Sequence, residues 1–200
     1  MESVPKTIDQ NQRRAEVAAA VWRLIVDSGV SAVSLRTVAA EAGIVLGSLR
    51  HSFPAKADLL AYSMELVHTN AERRVRAHAG VTDPVDMVTA MLLELLPADD
   101  TRRTEMRVNV ALIAESPAHP RLAELAERSQ RAIAALCRQL CHHLAETGHL
   151  HATRDPDTEA ARLHAYIDGA ALHELVTRTD AARIEAALRA YLKDLAGPTR

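Results

Sequence analysis

The strongest constraint on this chain is its punctuation. Apolar residues recur at helical spacing between breaks of glycine, proline and capping residues, and no stretch sustains the alternation of a strand. Gly29 closes a first run in which Val17, Val21, Trp22 and Ile25 share a face. Ser34 is a good N-cap for a second, short run (Leu35, Val38, Ala39, Ala42) that Gly43 stops. A third short helix over residues 45–52 follows at once, and Pro54 interrupts it. Longer helices are predicted over 55–79, 84–97, 102–115, 121–147, 156–178 and 180–196, with Asp83-Pro84 and Asp155-Pro156 as start signals. The chain reads as all-α: a flexible arm (1–12), a three-helix domain (13–54), then a roughly six-helix domain (55–200).

Composition narrows the class. Aromatics are confined to Trp22, Phe53, Tyr62, Tyr166 and Tyr191, so alanine, leucine and valine must build the core, a mixture that favours helix. The two cysteines, Cys137 and Cys141, form no disulfide framework. With no secretory pattern and no apolar run of membrane-spanning length, the expected location is the cytoplasm, without a membrane partner. Net charge is −2, which supplies no general affinity for nucleic acid; residues 1–60 carry +1 and the remainder −3. Any DNA binding must therefore come from where the cations sit.

A short helix, a glycine turn and another short helix match a helix-turn-helix, in which the third helix enters a major groove and the second braces it. Spacing alone also fits any small helical bundle. Resemblance to a known family decides. The stretch from Val17 to Leu60 resembles, without a gap, the N-terminal domain of the tetracycline-repressor (TetR) family of bacterial transcription regulators. The resemblance rests on Gly29, Ser34, Val38-Ala39, Ala42-Gly43, Gly47, Leu49, Phe53, Lys56 and Leu59-Leu60. It implies a regulator, a repressor by family habit, that binds a palindromic double-stranded DNA operator as a homodimer and is released by a small-molecule effector.

Residues 45–52 are then the recognition helix. The resemblance assigns DNA contacts to Ser34 and Thr37 of the second helix, to Leu46, Gly47, Ser48, Arg50 and His51 of the third, and to Lys56. Gly47 lets the helix come close, Ser48 meets a phosphate or a base edge, and Lys56 meets a phosphate. Val38, Ala42, Leu49 and Phe53 are core. Three positions depart from the family pattern: Arg50 replaces a frequent tyrosine, Val45 a serine or threonine, and Ala55 a small polar cap. Arginine adds a full charge for a phosphate or a fork for the O6 and N7 of guanine. Losing a cap costs about 1 kcal/mol, and nothing in the sequence says what Val45 gains.

The later helices correspond to the family's effector-binding and dimerisation domain. His68, Met87, Met91, Met106, Asn109, Ile113, Tyr166 and His173 combine flexible apolar surface with a few polar groups, the balance of a small-molecule cavity. Scarce aromatics favour an aliphatic or metabolite-like effector over a large planar one. In the family the last two helices pair with their symmetry mates. Here Leu163, Ile167, Ala170 and Leu175 line one face, and Ile184, Leu188 and Tyr191 another. These faces either meet a second copy or pack on their own domain.

Two rival chemistries fit parts of the sequence. Cys137, Cys141 and His142 could make a metal-sensing regulator, although structural zinc wants four ligands at favourable spacing. Glu65/His68 and Glu146/His149 have the Glu-x-x-His spacing of di-metal carboxylate bundles, but the additional glutamates, such as Glu94 and Glu115, lack support. No HExxH, GxSxG or P-loop occurs. The expectation is no enzyme, no metal and no cofactor.

Overall fold

The computed structural model describes the backbone of residues 6–196 and the side chains of residues 12–196. Every regular element among the described residues is helical: α1 (Lys6–Ser28), α2 (Leu35–Glu41), α3 (Leu46–Ser52), α4 (Lys56–Ala77), α5 (Pro84–Leu93), α6 (Asp100–Ala114), α7 (Pro120–Glu146), α8 (Pro156–Thr177) and α9 (Ala181–Ala196). Residues 6–12, expected as part of an arm, open α1 instead, and no glycine or proline between 6 and 28 prevents it. The rest of that arm, residues 1–5, lies outside the described residues.

α5 stops at Leu93, short of Pro97. Proline has no N–H, so the Leu93 carbonyl lacks its donor four residues on. The Leu96 N–H at 3.2 Å and Arg102 Nη1 at 2.8 Å donate to it instead.

Packing divides the chain into two compact units. The first comprises the described residues through His68 together with Arg107–Ala126; the second comprises Thr69–Met106 and the residues from Glu127 onward. The boundary expected between 54 and 55 is therefore not the one that packing makes. Leu59, Leu60, Met64 and Val67 of α4 are buried in the same core as Val21, Val38, Leu49 and Phe53. Each fully buried leucine contributes about 1.5–3 kcal/mol, so the short helices α2 and α3 gain their stability from this long neighbour rather than from propensity.

In the second unit Val88, Leu92, Leu96, Cys137, Leu140, Leu144, Leu163, Ile167, Ile184, Leu188 and Leu192 form the core. The last turns of α4 are held there by charge. Arg74 donates to Glu94 at 2.9 Å and to Glu105 at 2.7 Å, and Asn70 donates to Glu105 at 2.8 Å. Glu105 is only 3% exposed, so these bonds satisfy a carboxylate that burial would otherwise make costly. Burial alone would lower the pKa of Arg74, but the bonds to Glu105 and Glu94 outweigh it and the net shift is upward.

Candidate nucleic-acid interface

α2 begins with a reciprocal cap. The Thr37 N–H donates to Ser34 Oγ at 3.1 Å, while the Ser34 N–H donates to Thr37 Oγ1 at 2.9 Å. The Thr37 hydroxyl donates onward to the Ala32 carbonyl at 2.8 Å. Both side chains expected to meet DNA thus also hold the bracing helix to the turn before it. Gly43 has φ +64°, a left-handed conformation that glycine adopts without strain. The turn it makes is closed by the Ile44 N–H bonding the Ala39 carbonyl at 3.0 Å.

Two inward anchors set the pose of α3: Leu49 and Phe53 are each 1% exposed. The Arg14 guanidinium covers the anchor at Phe53, lying 4.8 Å from that ring's centroid and 4.6 Å from that of Tyr62. Gly47, Ser48, Arg50 and His51 lie on the exposed side of α3. Arg50 and His51 have no hydrogen-bond or ion-pair partner among the described residues, and they occupy the last turn, where the helix dipole favours cations. Lys56 opens α4 and donates to the Val30 carbonyl at 3.0 Å, which engages one of its three N–H groups. The polar cap missing at Ala55 is replaced from the other side, since Asp58 Oδ2 accepts the Ala55 N–H at 3.0 Å.

One residue assigned to the DNA face is less open than the others. Leu46 is half-buried and packs against the core of the first unit. Its neighbour Val45, given no role from the sequence, is 77% exposed. The signal was present in the missing cap. Arg36, which no sequence signal singles out, is exposed in the first turn of α2, where the dipole disfavours a cation, and has no partner among the described residues.

A helix-turn-helix with a free cationic outer face is what transcription regulators present to DNA. The sequence profile of the tetR family of bacterial regulatory proteins matches residues 17–62, and that of BetI-type transcriptional repressor C-terminal domains matches residues 84–197. This chain belongs to the TetR family. It is a DNA-binding transcriptional regulator. The HTH-type transcriptional regulator PksA of Bacillus subtilis (strain 168) is 35% identical over 196 residues, 96% of this chain and 94% of PksA. A solved transcriptional regulator from Rhodococcus sp. Rha1 superposes with a TM-score of 0.77 at 26% identity, over 91% of this chain and 95% of its own. A regulator from Saccharomonospora viridis, solved in complex with choline, shares the fold with a TM-score of 0.79 at 22% identity, over 92% of this chain and 96% of its own.

The TetR regulator's other assigned residues fall in different places. His68 and Asn109 belong to the first unit and bond each other at 3.0 Å, with Ile113 of that unit 37% exposed. In the second unit Met91 is buried and Met87 and Met106 are half-buried against the core. Tyr166 stacks on Tyr191 with centroids 4.4 Å apart, and His173 is exposed. Burial pushes both tyrosine hydroxyls upward, Tyr191 to about 12. An open depression of about 500 Å³ in this unit is lined by His151, Arg154, Glu159 and Arg162, and by none of the residues assigned to the effector.

The dimer face also needs correction. Leu163, Ile167, Ile184 and Leu188 are buried inside the second unit, while Ala170, Leu175 and Tyr191 are half-buried. A helix pair must first fill its own core, and the largest apolar side chains go there. What the same helices leave exposed is a stripe of Ala165, Gly169, Leu172 and Val176 on α8, and of Ala182, Ala186 and Ala190 on α9.

Among the described residues no three His, Cys, Asp or Glu side chains are placed to hold a metal. Cys137 and Cys141 are buried, and burial pushes their thiols to about 12 and about 11. His142 bonds Asp157 at 3.2 Å. Glu94 is occupied by Arg74, Arg102 and His78, as expected of a structural carboxylate. Among the described residues no helix is long and apolar enough to cross a membrane.

Proposed function

We propose that this protein is a repressor that binds a palindromic operator as a homodimer in the cytoplasm and is released by a small-molecule effector. The observation that carries the reading is the outer face of α3, where Arg50 and His51 are exposed and uncommitted beside Ser48 and Gly47. The buried Leu49 and Phe53 hold that face in place. Gly47 supports it: its backbone is ordinary helix, and a Cβ there would meet nothing within 4 Å. The fold has no use for this glycine, whereas a DNA surface approaching the helix does. Lys56, Ser34 and Thr37 serve phosphates, fixing register without reading bases.

Dimerisation uses the exposed stripe of α8 and α9, whose small residues let helices approach closely. Two recognition helices are then available for half-sites about 34–36 Å apart. The effector engages the second unit around Met87, Met106 and Tyr166, and must favour the DNA-incompetent state to cause release. α4 contributes its first turns to one unit and its last turns to the other. The choline bound to the Saccharomonospora regulator makes choline the first compound to test.

The deciding experiment is a mobility shift with the promoter DNA beside the protein's own coding sequence. A specific, salt-dependent complex that competitor DNA does not remove is expected, with the slope on salt concentration reporting the phosphates engaged. Indifference to sequence would refute the reading.

A further inference from the structure

We infer that Val45 is a specificity-determining residue of this regulator, its isopropyl group reading the C5 methyl of a thymine in the major groove. The inference rests on the DNA-reading role of α3 proposed above.

At 77%, Val45 is the most exposed large hydrophobic side chain among the described residues. Its neighbours Ile44 and Leu46 both pack against the core, so Val45 alone of the three faces outward. Its backbone, at φ −70° and ψ 133°, is extended, where a β-branched residue is at ease but is not required. The fold therefore gains nothing from valine here, and it forgoes a side-chain cap on α3.

Gly47 repeats the pattern two residues on. It is disfavoured in a helix, yet a Cβ at that position would meet nothing. Two outward positions in the same short segment thus give up helix stability without an internal return. Both lie at the end of α3 from which a recognition helix reaches base edges.

The chemistry of the face selects the partner group. Ser48, Arg50 and His51 are polar, and Val45 is the apolar side chain among them. In the major groove the thymine methyl is the corresponding apolar feature, and apolar side chains recognise it by contact. A serine or threonine at 45 would spend its hydroxyl on the backbone of α3. Valine cannot cap, so its surface stays available to a base.

The test begins with the full-length protein selecting sites from random duplex DNA. Each thymine of the selected half-site is then replaced by deoxyuridine, which removes the C5 methyl alone. One position should weaken wild-type binding by about fourfold per half-site, the worth of burying one methyl-sized group. Val45→Ser should bind the thymine and uridine duplexes equally, and Val45→Ala, which keeps only its Cβ methyl, should show a smaller penalty than wild type. The serine variant restores a capping hydroxyl and should melt no lower than wild type, which separates lost recognition from lost folding.

Two results would overturn the inference: a uridine penalty that persists in both variants, or a half-site in which no thymine methyl matters. Failure to enrich any sequence would instead remove the reading of α3 on which it stands.

Discussion

Arg50→Ala separates recognition from stability. Arg50 is exposed and has no partner among the described residues, so its removal should change folding stability by no more than about 0.5 kcal/mol. The cost at the operator depends on what the guanidinium meets. A bidentate pair with guanine is worth about 1–3 kcal/mol. A homodimer loses it twice, so Kd should rise roughly thirtyfold or more, and preference at one base position should relax. A phosphate contact instead predicts uniform weakening on all sequences and a salt slope shallower by about 0.9 per contact, nearly 2 per dimer. Fluorescence anisotropy with labelled operator at several salt concentrations distinguishes these, with a thermal melt of each protein beside it. Arg23→Ala is the control. Arg23 is exposed but paired with Glu41, so its loss costs at most about 1 kcal/mol of stability and leaves Kd unchanged. An Arg50→Ala protein with wild-type Kd, wild-type salt slope and an intact melt would refute the assignment of this face.

Replacing Leu172 and Val176 together by glutamate should give a folded monomer in sedimentation; Ile184→Glu should unfold the second unit instead, and a dimer surviving the double change would exclude the exposed stripe as the interface. Glu105→Ala removes one partner of Arg74, which keeps Glu94, and the partner of Asn70, and should cost about 1–3 kcal/mol in urea unfolding; a loss near zero would mean the network is idle. The folded chain holds the protons of Cys137 and Cys141 after the unfolded chain releases them near pH 9, because burial raises both thiols to about 11–12. Above that pH the unfolded state binds fewer protons, so stability falls as pH rises toward 11. Replacing both cysteines by alanine should flatten that decline in urea midpoints measured either side of pH 9, and an unchanged slope would count against buried neutral thiols.

Much of this molecule was legible in one dimension because its signals are local. Helical periodicity, Asp-Pro starts and a glycine at 43 act within a few residues, so the elements follow from local sequence, and the family resemblance adds the helix-turn-helix. The cationic outer face of α3 was legible through the family resemblance, which puts Leu49 and Phe53 in the core and Arg50 and His51 on the DNA side; the first two are buried and the last two exposed. The exceptions arose where a choice between neighbours depended on distant partners. Leu46 and Val45 are both apolar and adjacent, and only the core contributed by other helices decides that Leu46 turns in and Val45 out.

The same logic governs the larger corrections. Helical periodicity does not join α4 to α2 and α3, yet burial of Leu59, Leu60 and Met64 beside Phe53 moves the packing boundary into the middle of that helix. The apolar stripe at Leu163, Ile167, Ile184 and Leu188 was visible as a stripe, but periodicity does not name the surface that covers it. That was decided by the second unit's own core, which buries those side chains and leaves Leu172 and Val176 outside. Sequence by itself determined which residues form helices and which faces are apolar, because backbone hydrogen bonding and side-chain period are short-range. Tertiary structure alone decided which apolar face was buried and which was left over, because burial is a competition among segments far apart in the chain.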